Sequence, residues 1–194
     1  MLMKKTIKNH FNQIKKILND SSLLVNQTEI ISKLLKDKIK SKNKIFVCGN
    51  GGSFADASHF VGELTATYSK KKRKPLPFIL LGSNQAAVTA WSNDFNFDDY
   101  LSREFSIFAN KNDVLFIFST SGGNIKKKQS INLIKLARYA KSKKIKIISL
   151  LGKGGGYLKK LSSQSIIIDS KNTASIQEVH KIIFHSICET FENI

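Results

Sequence analysis

Five short apolar runs punctuate the chain: "KIFVCGNGGS" (44–53), "LPFILLGSN" (76–84), "DVLFIFSTSGG" (113–123), "KIKIISLLGKGGG" (144–156) and "SIIIDS" (165–170). Each is apolar without alternation, as a strand buried on both faces must be. Three of them end in glycine-rich loops. Helical spacing fills most of the intervals. Two helical segments, 3–18 and 22–41, precede the first run, and one, 175–192, follows the last. Alternating strands and helices predict an α/β fold with a parallel sheet covered on both faces. Such sheets bind ligands at the carboxyl ends of their strands, where all three glycine loops fall.

Composition narrows the class. The chain has 194 residues, 41% of them hydrophobic, which suits one globular domain with its own core. No stretch has the length of a membrane span. The start lacks the continuous apolar region of a signal peptide; Ile7, Phe11, Ile14 and Leu18 follow helical spacing instead. Cys48 and Cys188 make no disulfide framework and read as buried thiols of a reducing, cytoplasmic protein. The net charge is +18. It is mostly lysine, spread in pairs along the whole chain with few arginines, and reads as a solvated basic surface rather than a reader of nucleic acid. A positive field also attracts anionic sugar phosphates.

Candidate chemistry begins at "FVCGNGGSFADASHFVGEL" (46–64). Gly49-Asn50-Gly51-Gly52-Ser53 lead from a strand into a helix, and a helix N-terminus offers its amides to an anion. Ser53 is the expected N-cap, free to donate to phosphate oxygens as well. The spacing matches neither the dinucleotide fingerprint nor a Walker loop. A second cluster, Ser119-Thr120-Ser121-Gly122-Gly123, ends another strand with three hydroxyls, and two such loops at neighbouring strand ends predict a phosphate pocket. On the helix that follows the first loop, His59 and Glu63 share one face at i, i+4. The late segment "SIQEVHKIIFHSI" (175–187) adds Gln177, Glu178, His180 and His185. Imidazoles and a carboxylate suit an acid/base pair or zinc, but spacing leaves His180 and His185 both open as the second contributor. Asn93-Asp94 fall at a helix end, as a turn or as readers of sugar hydroxyls.

Taken together and in order, "CGNGGSFADASHFVGELT", "SNDFNFDD", "STSG" and "IQEVH…H" resemble the phosphoheptose isomerases, sugar-isomerase (SIS) domain enzymes. The resemblance runs over nearly the whole chain, 1–194, with 1–42 as helices for packing and oligomerisation and 43–194 as the core and last helix. It implies a three-layer αβα sandwich with a five-stranded parallel sheet, a homotetramer with sites near subunit interfaces, and a zinc ion. By motif, Asn50, Gly51, Gly52, Ser53, Asn93, Asp94, Ser119, Thr120 and Ser121 match substrate positions. His59, Glu63, Gln177 and His185 match the zinc ligands, Gln177 and Glu63 serving the substrate as well. Glu63 and His185 also match the acid/base pair, which the resemblance thereby resolves in favour of His185 over His180. The implied reaction interconverts sedoheptulose 7-phosphate and D-glycero-D-manno-heptose 7-phosphate, a precursor of lipopolysaccharide and other surface heptose.

The chain departs from that pattern in three places. Thr67 and Ser175 stand where arginine is common, and "STSGGNIKKKQSINLI" carries extra residues after the glycines, so that Asn124, Ser130 and Asn132 compete for one role. An isomerase of another phosphosugar is therefore an alternative. So is the non-catalytic SIS branch that binds the replication initiator DnaA, although that branch typically lacks the glutamate matching Glu63.

Overall fold

The computed structural model describes residues 2–19, 21–69 and 72–192; Lys70 and Lys71 of the lysine run at 70–74 lie outside them. Helices α1 (Leu2–Asn19) and α2 (Ser22–Lys40) lead into β1 (Ile45–Cys48). Then come α3 (Gly52–Thr65), β2 (Phe78–Leu80), α4 (Gln85–Asp94), α5 (Phe97–Phe108), β3 (Val114–Ser119), α6 (Ile131–Ser142), β4 (Lys146–Gly152), β5 (Gln164–Ile168) and α7 (Thr173–Thr190). The five strands form one parallel sheet in the order β2-β1-β3-β4-β5. This is the three-layer arrangement that the sequence implies. Asn93 and Asp94 end α4, as expected. The early and late helices fall within two residues of the predicted spans.

Successive side chains of a strand face opposite sides of the sheet, so the chain builds two cores. Ile45, Val47, Phe116 and Phe118 pack with α2, α3 and α7; Phe46, Cys48, Leu115 and Ile117 pack with α5 and α6. The first core is aromatic at its centre. Phe60 of α3 lies 5.4 Å from Phe78, 5.3 Å from Phe116, 5.9 Å from Phe118 and 5.6 Å from Phe184 of α7. Aromatic pairs in this range add to the burial of their area. The α5 helix, which the apolar pattern did not delimit, is started by Asn96: its Oδ1 accepts from the Asp99 amide, and Asp98 and Asp99 sit in the first turn, where negative charge is favoured.

The α1 helix is amphipathic but only half docked. Ile14, Ile17 and Leu18 pack on the first core, whereas Leu2, Met3, Ile7 and Phe11 are exposed. No helix among the described residues is long and apolar enough to cross a membrane.

His180 of α7 is fully buried, and its Nε2 donates to the Leu151 carbonyl at 3.3 Å. Burial pulls its pKa down to about 4, while the unfolded chain titrates at about 6.5. Between these values the unfolded state binds more protons. This share of stability is therefore complete above pH 6.5 and lost as pH falls toward 4, amounting to up to about 3 kcal/mol. Urea denaturation across pH should show that loss, and His180→Asn should remove its share of the slope.

Candidate active site

The first glycine loop is tighter than its sequence suggests. A side chain at Gly49 would meet the Ser53 carbonyl at 2.4 Å, and Gly51 has φ +54°. Gly51, not Ser53, is the N-cap of α3. Ser53 lies inside the first turn and is buried, its amide donating to the Asn50 carbonyl at 3.0 Å. The expected serine cap is thus corrected: two glycines let the helix begin a turn's fraction earlier, and Gly51 and Gly52 form its exposed mouth.

The second loop is held by its own hydroxyls. The Gly122 amide donates to Ser119 Oγ at 3.1 Å and the Gly123 amide to Ser121 Oγ at 3.2 Å. The third glycine loop buttresses it. Tyr157 and Leu158 amides donate to the Gly123 and Gly122 carbonyls, and a Cβ on Gly122 would strike the Gly155 oxygen at 2.0 Å. The extra residues form a small excursion closed by an antiparallel bridge between Asn124 and Gln129, with Lys126, Lys127 and Lys128 exposed. Asn124 Oδ1 accepts from the Lys127 amide within it, and Ser130 is a left-handed N-cap to α6 without a side-chain cap bond.

Asn132 is the residue that reaches the first loop. Its Nδ2 donates to Asn50 Oδ1 at 2.7 Å and Asn50 Nδ2 donates back to its Oδ1 at 2.9 Å, and Asn132 is only 1% exposed. This reciprocal amide pair locks two segments 82 residues apart. Both line a cleft of about 190 Å³ that runs past Phe54 to Gln85 and Val88. Asn93 and Asp94 do not line it. They are exposed at the other end of α4, where Asn93 Nδ2 donates to Asp94 Oδ1 at 2.9 Å.

Below the first loop, α3 and α7 lie side by side and match rung for rung. A Cβ on Gly52 would meet the Gln177 amide at 2.2 Å. One turn on, buried Asp56 has Oδ1 3.8 Å from Lys181 Nζ; its Oδ2 has no hydrogen-bond partner, and burial pushes its pKa up. At the third rung His59 Nε2 donates to Glu63 Oε1 at 2.9 Å, and the His185 ring lies 5.0 Å from that of His59. Donor atoms of His59, Glu63 and His185 lie within 4.8 Å of one another. Two imidazole nitrogens and a carboxylate oxygen, part open to solvent, form a donor set that zinc accepts with a position to spare. Gln177 is eight residues before His185, a rise of about 12 Å along α7, and so sits at the loop end of the seam. Burial, then the neighbouring His59, hold His185 below the usual imidazole range against the opposing pull of Glu63. A neutral imidazole results, fit to accept a proton or to bind a metal. Cys188, one turn on, is buried and stands outside that group, and burial pushes its thiol up to about 12. His180 stays in the core.

Thr67 and Ser175, where the resemblance leads one to expect arginine, have different surroundings. Ser175 is buried in the first turn of α7, with its hydroxyl 3.4 Å from Gln13 Oε1 of α1, so a small residue admits the leading helix there. Thr67 is exposed just past the end of α3. The Asn50–Asn132 pair and the buried Arg73, which bonds the last turn of α3, escaped the sequence reading.

The SIS domain profile matches residues 9–152 of the chain. The phosphoheptose isomerase of Campylobacter concisus (strain 13826) is 36% identical over 191 residues, covering 98% of this chain and 97% of that protein. That of Helicobacter pylori (strain P12) is 37% identical over 191 residues, covering 98% and 94%. Among solved structures, a phosphoheptose isomerase from Francisella tularensis superposes with a TM-score of 0.91 at 27% identity over 100% of both chains. One from Neisseria gonorrhoeae gives 0.88 at 28%, covering 99% of this chain and 100% of the other.

Cutting the asparagine pair tests how the two loops are joined. Asn132→Ala leaves the Asn50 amide unpaired and should cost about 1–3 kcal/mol in urea denaturation. Exchange of the 49–53 amides should quicken with it.

Proposed function

The chain belongs to the SIS domain family, and from that membership and its full-length likeness to phosphoheptose isomerases we propose that it interconverts sedoheptulose 7-phosphate and D-glycero-D-manno-heptose 7-phosphate. The observation that carries the reading is the convergence of His59, Glu63 and His185 on one seam that starts at the glycine loop. An aldose–ketose isomerase moves one proton between C1 and C2 and another between their oxygens, through an enediol. It therefore needs one group that takes the proton from carbon and one that serves the oxygens. Glu63 and His185 fill those roles. His185 is held neutral and can accept a proton near neutral pH. Glu63 is oriented by His59.

The phosphate is assigned to Ser119, Thr120 and Ser121, with Asn50, Gly51, Gly52 and Ser53 at the helix mouth. Gln177, against Gly52 at the loop end of the seam, is assigned by resemblance as a substrate contact and a further metal donor. Asn93, Asp94, Asn124 and Ser130 are assigned to the substrate by resemblance. His59, Glu63 and His185 would hold zinc, which when bound polarises a carbonyl or orients sugar hydroxyls.

Exposed Leu2, Met3, Ile7 and Phe11 on α1, with a groove of about 650 Å³ lined by Phe11, Ile14 and Leu18 of α1 and Ile182 of α7, support burial against further copies in a homotetramer. The free, buried Cys48 and Cys188 support a cytoplasmic setting, and the product would feed heptose into lipopolysaccharide.

Turnover of sedoheptulose 7-phosphate by purified protein, with and without added zinc, tests the reading. Glu63→Gln should lower kcat by about 10²-fold or more. Full turnover by that variant would remove Glu63 from the chemistry. No conversion by folded, zinc-loaded wild type would turn the assignment toward another phosphosugar. Separately, zinc should raise the melting temperature of the wild type and not that of His185→Ala.

A further inference from the structure

Glu63 stands in the last turn of α3, a precarious place for a catalytic carboxylate. The last carbonyls of a helix have no partner in the helix, and its end frays unless they are capped. The α3 end is capped from outside. Arg73, six residues past Thr67 and 5% exposed in its side chain, donates from Nη2 to the Glu63 carbonyl at 2.6 Å and from Nη1 to the Leu64 carbonyl at 2.8 Å. Its Nε donates to Glu192 Oε1 at 3.2 Å, and the other Glu192 oxygen accepts from Ser69 Oγ. Glu192 lies seven residues beyond His185, just past the end of α7, and its side chain is 6% exposed.

One guanidinium therefore joins the ends of the two helices that carry the candidate acid/base pair. We propose that Arg73 is a positioning residue for that pair: it fixes Glu63 through the Glu63 carbonyl and ties that end of α3 to the end of α7 through Glu192. The proposal rests on the isomerase reading for its catalytic consequence. Its geometry requires arginine. Three acceptors, two carbonyls of one helix and a carboxylate just past the end of another, are served by one rigid planar fork, which a lysine ammonium on a flexible stem does not reproduce. The need is also specific. A shift of about 1 Å in a reacting group is enough to cost a large factor in rate, and Glu63 is held to the chain at the one turn that the helix cannot secure by itself. The Arg73 hydrogen bonds go to the Glu63, Leu64 and Lys74 carbonyls and to Glu192, not to a donor atom of the three-residue group, so its effect passes through placement.

Arg73→Lys, Glu192→Gln and the double variant, each zinc-loaded and assayed where its circular dichroism matches wild type, test the brace. Arg73→Lys should lower kcat by about tenfold or more while KM stays within about twofold, because substrate binding at the loops is untouched. Glu192→Gln should fall in the same direction, and the double variant should be no worse than Arg73→Lys, since both break one brace. Amide hydrogen exchange should quicken together at 62–66 and 187–192. Wild-type kcat and exchange in Arg73→Lys would overturn the proposal, as would a loss confined to KM. Should wild type show no turnover, the isomerase reading falls and exchange alone decides the brace: faster exchange at both helix ends sustains it, and unchanged exchange overturns it. Should Arg73→Lys fail to fold, Glu192→Gln decides by the same measures.

Discussion

Everything at the candidate site hangs on the contact between Phe60 and Phe184, 5.6 Å apart at the centre of the first core. Each ring is the sequence neighbour of a site histidine: His59 beside Phe60, His185 beside Phe184. Burying the two rings against Phe116 and Phe118 leaves α3 and α7 no freedom to slide, because cores of this kind are close-packed. The rungs above follow from that register. Gly52 meets Gln177, Asp56 meets Lys181, and the two histidines with Glu63 meet at the end. Since Phe118 is followed by Ser119, the same aromatic cluster also sets the distance from the hydroxyl loop to the seam.

Charge is used sparingly where chemistry is expected. The chain carries +18 overall, yet no arginine lines the cleft at Asn50 and Asn132. The side-chain amides of Asn50, Gln85 and Asn132 and the helix mouth at Gly51 face that space instead, donors that need little reorganisation around an anion. The lysine-rich surface supplies a long-range field, which screens with salt. Inside, burial keeps His185 neutral and Cys188 protonated, so the group that can bind a proton or a metal stands apart from its inert neighbour.

Much of this was legible in the sequence, and the boundary has a physical cause. The five strands announced themselves because a doubly covered parallel strand is apolar at every position. The His59–Glu63 pair was visible because i, i+4 spacing defines one helix face. Spacing leaves His180 and His185 both open; in the structure His185 lies beside His59 and Glu63, whereas His180 is buried against the Leu151 carbonyl. Propensity favours serine as the cap, but the backbone there needs a positive φ, which Gly51 supplies in place of Ser53. The Asn50–Asn132 pair and the Arg73 bonds to α3 and Glu192 are tertiary. No local pattern announces an amide pair between two segments so far apart, or an arginine that caps a helix it does not belong to. Nor does helical spacing in α1 reveal that Leu2, Met3, Ile7 and Phe11 stay exposed while Ile14, Ile17 and Leu18 pack on the core.

The central claim is that the seam moves a proton between adjacent carbons. The most direct measurement is turnover of sedoheptulose 7-phosphate in D2O, followed by NMR of the aldose. Acid/base transfer by side chains on a part-open seam predicts solvent deuterium at C2 of the product. Complete carriage of a C1 label to C2 with no solvent exchange would contradict the account.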